Sequence, residues 1–167
     1  MFASLGMVVQ GCGRTDIRLR DGARYANQSG DAQWVILPDN SRVKLSGGSV
    51  VVLGAGFANG NRVVDLDGEG MFEVRPLVGK MFVVVTKNLV IAGPGTKFRV
   101  DAVRRLSGEE VDLLDGLLRV RKSYHSDLDS AMEELRSGDM LMINREIDLM
   151  EKEKMNPDEV EKVKGKF

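Results

Sequence analysis

The sequence has little of what most often builds catalytic and metal sites. In 167 residues it has one cysteine, Cys12, and one histidine, His125. One cysteine excludes an intrachain disulfide, and one histidine excludes a zinc site built on paired histidines. His125 stands in a polar Ser-Tyr-His-Ser stretch, which predicts a surface loop. Cys12 has no basic neighbour to activate it, so we interpret it as an incidental thiol or a lipid attachment site.

Aromatic residues and excess charge are also scarce. Aromatics make up 5% of the chain, and 24 basic residues balance 25 acidic ones, for a net charge of -1. Such a balance gives no general attraction to nucleic acid, so we predict no nucleic-acid partner. The length suits one domain with a sizeable core, whereas two full domains would be a tight fit.

Long hydrophobic runs are absent as well. Crossing a bilayer takes roughly 20 apolar residues, and the apolar start, residues 1–9, is far shorter. We interpret it as the remnant of a membrane helix that begins upstream of Met1 and would anchor the chain. A lipoprotein signal ending at Cys12 and a disordered apolar terminus are the alternatives. Residues 1–30 are accordingly predicted to be an apolar start and a polar linker.

Glycine, by contrast, is abundant, with 19 residues, and valine recurs in the middle of the chain. This mix favours short strands joined by tight turns. Residues 67–74 and 93–100 repeat one design, a glycine turn followed by a strand. In each strand an aromatic residue and the valine two positions later share one face, and a charged residue between them points to the other. This alternation predicts half-buried strands.

Similar units along the chain predict nine or ten strands. Residues 34–37 and 42–45 flank the turn Pro-Asp-Asn-Ser and predict a hairpin;. The dipeptide at 115–116, Asp-Gly, predicts a second hairpin. Apolar spacing predicts a short helix over 128–135.

The C-terminal residues predict one more helix. Asn156 has the character of an N-cap, Pro157 suits the first helical position, and two acidic residues follow;. The fold class is therefore all-β: a twisted, solenoid-like or sandwich-like array of short, mainly antiparallel strands, with little helix near the C-terminus. We predict the β domain over 31–150 and a tail over 151–167 that begins a further C-terminal domain.

The motifs that could carry chemistry are all unspecific. Glu69 and Glu73 share a strand face and could form an acid/base pair, and Asp65, Asp67 and Glu69 could form a calcium site. Residues 93–97, Gly-Pro-Gly-Thr-Lys, lack the spacing of a phosphate loop and lead into a strand;. Solvated carboxylates and a turn explain these patterns better. We therefore predict that the protein is not an enzyme, and we assign no catalytic residue, cofactor or metal.

Six pieces of the sequence, taken in order, resemble the FecR family. Residues 37–41 are similar to its Leu-Pro-Asp-Gly-Ser opening, with Asn40 in place of glycine. Residues 62–74 are similar to its block Arg-x-Val-x-Leu-x-Gly-Glu-x-x-Phe-x-Val. The later pieces lie at 82–86, 95–100, 115–120 and 135–139. The matching positions, which we expect to be structural, are Leu37, Pro38, Asp39, Ser41, Arg62, Gly68, Glu69, Phe72, Val74, Gly95, Thr96, Phe98, Val100, Gly116 and Gly138.

The resemblance implies the periplasmic domain of an inner-membrane anti-sigma regulator that works with a TonB-dependent outer-membrane transporter. Its partner would be the transporter's signalling domain, with a sigma factor bound only through a segment absent from this chain. Exposed strand edges would supply the binding surface. This function is signalling rather than catalysis, on the periplasmic side of the bacterial inner membrane. The alternative is a stand-alone envelope domain that binds a glycan or other ligand through its glycine-rich loops, with Trp34 as the only tryptophan to stack on a sugar.

Overall fold

The structure, a computed structural model, describes residues 7–11, 14–103, 106–128 and 131–167. Cys12 and residues 1–6 lie outside the described residues, so the interpretations of them stay predictions, as do the domain boundaries. Residues 7–9 of the apolar start belong to a strand. Within the described ranges, no helix combines the length and the apolar character that crossing a bilayer requires.

The described residues form fifteen strands, one 3₁₀ turn and one α-helix, which confirms the all-β prediction. The nine or ten predicted strands are fewer, because β1 lies in the apolar start that was interpreted as a helix remnant and β13 lies in the segment predicted as a helix. The strands are β1 (Met7–Gly11), β2 (Arg14–Arg18), β3 (Arg24–Ala26), β4 (Gln33–Ile36), β5 (Arg42–Leu45), β6 (Val50–Leu53), β7 (Arg62–Glu73), β8 (Phe82–Val85), β9 (Leu89–Gly93), β10 (Lys97–Ala102), β11 (Gly108–Asp115), β12 (Leu117–Lys122), β13 (Glu133–Arg136), β14 (Asp139–Asn144) and β15 (Leu149–Lys154). The 3₁₀ turn is Phe57–Asn59, and the helix, α1, is Pro157–Lys164.

The strands pair into two sheets that share β7. Sheet A has the order β1-β2-β4-β5-β7-β10-β11-β14-β15, and sheet B has the order β3-β6-β7-β8-β9-β12-β13. The pairings among the described strands are antiparallel except β2 with β4 and β7 with β8. The first half of β7 pairs with β6 and β8 in sheet B, and the second half pairs with β5 and β10 in sheet A. One strand therefore connects the two layers.

β7 bends sharply at Gly68, where φ is +112°, a conformation that favours glycine;. A Cβ at this position would lie 2.3 Å from Ser49 Oγ, so there is no room for a side chain. Twelve residues of straight strand would extend about 40 Å. Yet the Arg62 side chain, at the start of β7, bonds to the backbone of Arg75 just past its end. The chain therefore folds back at Gly68, and the two halves of β7 belong to different sheets.

Two other glycines mark points where the chain passes between the sheets. Gly116, with φ +107°, separates β11 in sheet A from β12 in sheet B, and Gly138, with φ +90°, separates β13 from β14. The predicted hairpin at 115–116 is therefore wrong, because β11 pairs with β10 and β14, whereas β12 pairs with β9 and β13. Only Gly116 separates β11 from β12, and one residue is too few for a two-residue hairpin loop. The chain instead passes from sheet A to sheet B at this point.

Two further predictions can be compared with the structure directly. The hairpin of β4 and β5 is confirmed, with Asn40 in the left-handed conformation at φ +63°. The helix over 128–135 is wrong, because its end belongs to β13, which pairs with β12. Leu135 is fully buried while Leu128 and Met132 are exposed. Pairing with a neighbouring strand outweighs a weak local helix preference.

The core lies between the sheets and contains the alternating apolar residues of both repeated motifs. Phe72 and Phe98 stack with ring centroids 5.0 Å apart, and Phe82 packs edge-on against Phe72. Val74 and Val100 are buried beside them. Burying a side chain of this size contributes about 1.5–3 kcal/mol. The face that these residues share is therefore the inner face, as the alternation predicted.

Helix α1 covers part of the outer face of sheet A. It starts as predicted at Asn156, whose side chain accepts from the backbone N–H of Glu159 in a reciprocal capping box;. Met155 and Val163 are buried. Beyond the helix, Lys44 Nζ donates to the carbonyl oxygen of Lys166 at 2.8 Å. The C-terminal residues are thus held against sheet A, although a helix this short would not be stable alone.

Candidate functional site

The loop at 74–81, between β7 and β8, presents an apolar tip to solvent. Val78 is fully exposed, and Leu77 and Met81 are 39% and 43% exposed. The Lys80 N–H donates to the Leu77 carbonyl oxygen at 3.1 Å, which closes the tip as a turn. Adjacent exposed apolar side chains are typical of surfaces that bind another molecule. The 74–81 loop is therefore a candidate docking site.

Arg62 fixes the base of this loop. Its guanidinium, which is fully buried, donates to the carbonyl oxygen of Arg75 at 2.8 Å and to that of Lys80 at 2.6 Å. It also donates to the Pro94 carbonyl oxygen at 3.1 Å and forms an ion pair with Asp39 at 3.0 Å. The planar guanidinium suits such a set of diverging bonds. Arg62 therefore holds both ends of the loop together.

The turn at 37–41 supports Arg62 from the other side. Asp39 accepts from the backbone N–H and the hydroxyl of Ser41, at 2.9 and 2.8 Å. The Ser41 hydroxyl oxygen in turn accepts from the N–H of Arg75 at 2.9 Å. Leu37 is buried, and Pro38 precedes Asp39 in the turn. The Leu-Pro-Asp-Asn-Ser motif thus positions one carboxylate against Arg62 and one hydroxyl against the loop.

Close backbone contacts complete the base. A Cβ on Gly95 would lie 2.6 Å from Cβ of Pro76, the residue that begins the apolar segment. A Cβ on Gly116 would lie 2.7 Å from Cγ2 of Thr96. Thr96 is itself buried, and its hydroxyl has no hydrogen-bond partner among the described residues. Glycine at 95 and 116 therefore lets the segments under the loop pack without a gap.

A rigid base and an apolar tip together suit recognition of a protein surface. The Arg62 guanidinium, the Asp39 carboxylate and the Ser41 hydroxyl beneath the tip are linked by hydrogen bonds, so Val78 and Leu77 project from a braced support. A preorganised surface of this kind loses little conformational entropy on binding. The arrangement is thus suited to binding.

A group of charged residues that includes the motif residue Glu69 forms the Arg99 cluster on the outer face of sheet A. Arg99 contacts four carboxylates: Glu69 at 2.5 Å, Asp112 and Glu110 at 2.7 Å, and Asp101 at 2.9 Å. Lys166, just beyond α1, bonds to Glu69 at 3.0 Å. The strand alternation predicted that Arg99 lies on this face, but it did not predict the cluster. The detectable signal was the alternation of acidic residues on β11, at 110 and 112.

Burial and pairing shift the pKa values of the cluster in opposite directions. Burial alone would raise the pKa of Glu69, but hydrogen bonds from Arg99, Lys166 and Ser46 lower it to about 2. Burial, together with the negative charge of Glu110, raises the pKa of Asp112 to about 6 despite its bond to Arg99. One guanidinium shared by four carboxylates does not compensate for all of them. The pKa values of Glu69 and Asp112, two carboxylates bonded to the same guanidinium, therefore lie far apart.

Replacing Glu69 by glutamine is expected to weaken the acid sensitivity of the fold. Because folding lowers the pKa of Glu69 from its ordinary 4.5 to about 2, the ionised group stabilises the fold above about pH 4.5;. That contribution is lost as the pH falls through about 2. Urea unfolding between pH 2 and 6 should show a shallower decline in unfolding free energy for E69Q than for the parent chain. The exposed Glu153→Gln variant serves as control, and equal slopes for E69Q and the parent would contradict the prediction.

Two of the carboxylates considered as catalytic or calcium ligands pair with basic residues of the chain. Glu69 belongs to the Arg99 cluster, and Glu73 pairs with Arg42 and Lys97. Gly68, with its bend in β7, lies between Glu69 and the acidic residues before it. Within the described ranges, no group of three or more histidine, cysteine or carboxylate residues is arranged to hold a metal ion.

His125 and Trp34 are the only histidine and the only tryptophan of the sequence, and the structure describes both. His125 is an exposed loop residue, as predicted, and lies 3.2 Å from Asp127. Trp34 is covered by Arg42, whose guanidinium lies 4.7 Å from the ring centroid, and Lys44 lies 5.9 Å away. The indole is thus engaged by cations of its own chain. This contact weakens the case for Trp34 as a platform for a sugar.

Together, these observations define a class of all-β protein module. Its motif residues form the turns between the two sheets, part of the core and the base of the 74–81 loop. The model of the FecR protein family matches residues 23–119. The chain belongs to the FecR protein family. A comparison with curated proteins finds no match.

Solved structures have the same fold. Two crystal structures of a candidate anti-sigma factor from Parabacteroides distasonis ATCC 8503, at 2.50 and 1.65 Å resolution, each align with a TM-score of 0.73 and 23% sequence identity. The alignments cover 83% of this chain and 62% and 63% of the two matched chains. This chain therefore spans less than two thirds of the length of those relatives.

Proposed function

We propose that this chain is a periplasmic signal-transduction module of the bacterial cell envelope, a FecR-type regulator of sigma-factor signalling. It binds a protein partner from a TonB-dependent uptake system, the signalling domain of the transporter, and carries out no catalysis. The family match supports a regulator, and the anti-sigma description of the structural neighbours supports the same class. The site residues at motif positions act structurally, by shaping the surface that binds.

The observation that carries the proposal is the 74–81 loop. Val78 is fully exposed at the tip, while the base rests on the buried pair of Arg62 and Asp39. The motif that identifies the family thus supports one exposed apolar surface. Apolar side chains near the centre of an interface contribute most of its binding energy. We therefore place the partner at Leu77, Val78 and Met81.

The Val78→Asp variant is expected to lose at least about tenfold in affinity for the partner, since a charge would be buried in an apolar contact. The measurement is biolayer interferometry of the full chain against the purified signalling domain of the transporter encoded nearest to it. Thermal stability should not change, because Val78 makes few contacts with its own chain. Leu128→Asp, at an exposed leucine elsewhere, is the matched control.

Two results would count against this proposal in different ways. If the parent chain does not bind the signalling domain, the assigned partner is wrong. If V78D and L128D bind as tightly as the parent chain, the partner binds but the 74–81 loop is not the surface.

A further inference from the structure

A groove on the outer face of sheet A lies next to the area that α1 covers. Its volume is about 460 Å³, and it is lined by β10, β11, β14 and β15 and by the turns that join them. Gly108 lines the groove without a side chain, and the apolar side chains of Met142 and Leu149 form what we call its floor. Leu106 and Ile147, which are 54% and 61% exposed, form the walls. The groove is therefore a concave apolar surface open to solvent.

The rim of the groove is acidic. Asp101, Glu110 and Glu151 line it, and none of its described lining residues carries a positive charge. Asp101 bonds to Arg99 through Oδ2, but its Oδ1 is buried without a hydrogen-bond partner among the described residues. Asp101 and Glu110 are also two of the four carboxylates of the Arg99 cluster, in which four carboxylates face two cations, Arg99 and Lys166. A cationic group would therefore be favourable at this rim.

The chain's own C-terminal segment shows what this face of the sheet binds. Met155 and Val163 supply buried apolar contacts, and Lys166 bonds to Glu69. Lys162 borders a smaller cavity together with Glu110 and Asp112. Apolar side chains combined with lysines therefore cover one part of a surface that also carries Glu69, Glu110 and Asp112. The groove is another part, with the same combination of apolar floor and acidic rim, and Glu110 borders both.

We propose that the groove binds an amphipathic segment of a protein partner, with apolar side chains on the floor and a lysine or arginine at the acidic rim. This surface is distinct from the 74–81 loop and does not depend on the identity of the partner there. Apolar burial supplies the affinity, and the carboxylates select a basic segment over an acidic one. The attraction weakens with added salt, because the rim is exposed.

Two fluorescein-labelled twelve-residue peptides test the proposal, one alternating leucine with lysine and the other leucine with glutamate. The full chain should bind the leucine–lysine peptide at least about tenfold more tightly than the leucine–glutamate peptide in fluorescence anisotropy. NMR shift changes should map to Met142, Leu149 and Glu151. The Glu151→Lys variant should lose about fivefold or more of this affinity, a loss that shrinks in high salt.

Glu153→Lys is the matched control, because Glu153 lies on the same strand and is exposed but does not line the groove. It should bind the peptide like the parent chain. Asp101→Asn should also weaken binding, since it removes the charge without changing the shape of the side chain. Equal binding of both peptides, or equal losses in E151K and E153K, would overturn the proposal. So would a dimer in sedimentation that Leu149→Glu abolishes, because the occupant would then be a second copy of the chain.

Discussion

Replacing Arg62 by methionine is expected to lower the free energy of unfolding by about 3–5 kcal/mol, the usual cost of breaking a buried ion pair. The substitution leaves the Asp39 carboxylate buried without its cation and frees three backbone carbonyl groups. Urea unfolding followed by circular dichroism measures the change. Arg62→Lys should give an intermediate loss, since lysine keeps the charge but not the planar fork that reaches several carbonyls at once.

Arg42→Met is the matched control for Arg62. Arg42 also pairs with a carboxylate, that of Glu73, but half of its side chain is exposed. An exposed pair of this kind contributes at most about 1 kcal/mol. A loss in R62M no larger than that in R42M would contradict the role assigned to the buried pair.

Replacing Gly68 by alanine is expected to destabilise the fold by about 2–4 kcal/mol, through backbone strain and overpacking together. At φ +112° the new residue would adopt a conformation that L side chains avoid. Its Cβ would also lie 2.3 Å from Oγ and 2.8 Å from Cα of Ser49, so moving the serine side chain would not relieve the overlap. Thermal and urea unfolding measure the loss.

Gly22→Ala separates the two contributions. Gly22 also has a positive φ, +70°, but a Cβ there would meet no atom within 4 Å. This variant should lose only about 1 kcal/mol, from backbone strain alone. If G68A and G22A lose equal amounts of unfolding free energy relative to the parent chain, the contact with Ser49 contributes nothing. The bend in β7 would then tolerate a side chain.

Local patterns were sufficient to predict the parts of the fold that depend on local chemistry. The turn at 37–41 has a proline and an asparagine where such a turn needs them, so the hairpin of β4 and β5 was predictable. The alternation around Phe72 and Phe98 predicted which side chains face the core. The start of α1 was predictable because capping depends on Asn156 and the residues that follow it.

The remaining features depend on contacts between residues far apart in sequence. The Asp-Gly pair at 115–116 looks like a hairpin turn, but the pairing partners of β11 and β12 lie elsewhere in the chain, and local propensity does not report them. Leu135 fits the apolar spacing of a helix, yet it lies in β13, which pairs with β12. Tertiary pairing decided both cases.

The candidate site was only partly predictable for the same reason. Arg62 and Asp39 appeared as motif positions, but their contact with each other spans 23 residues. The exposure of Val78 follows from how Arg62 holds the loop, which no local pattern shows. The groove combines residues from four strands, and its shape depends on their order in sheet A.

The contacts of Arg62 also act as a non-covalent cross-link. They join the first residue of β7, in sheet B, to the turn at 37–41 in sheet A and to the backbone just past the end of the same strand. Small β domains often use a disulfide for such a connection between layers. An arginine–carboxylate pair needs no oxidant, so this closure forms equally well in reducing and oxidising surroundings. The two sheets are therefore linked through Arg62, although the sequence has only one cysteine.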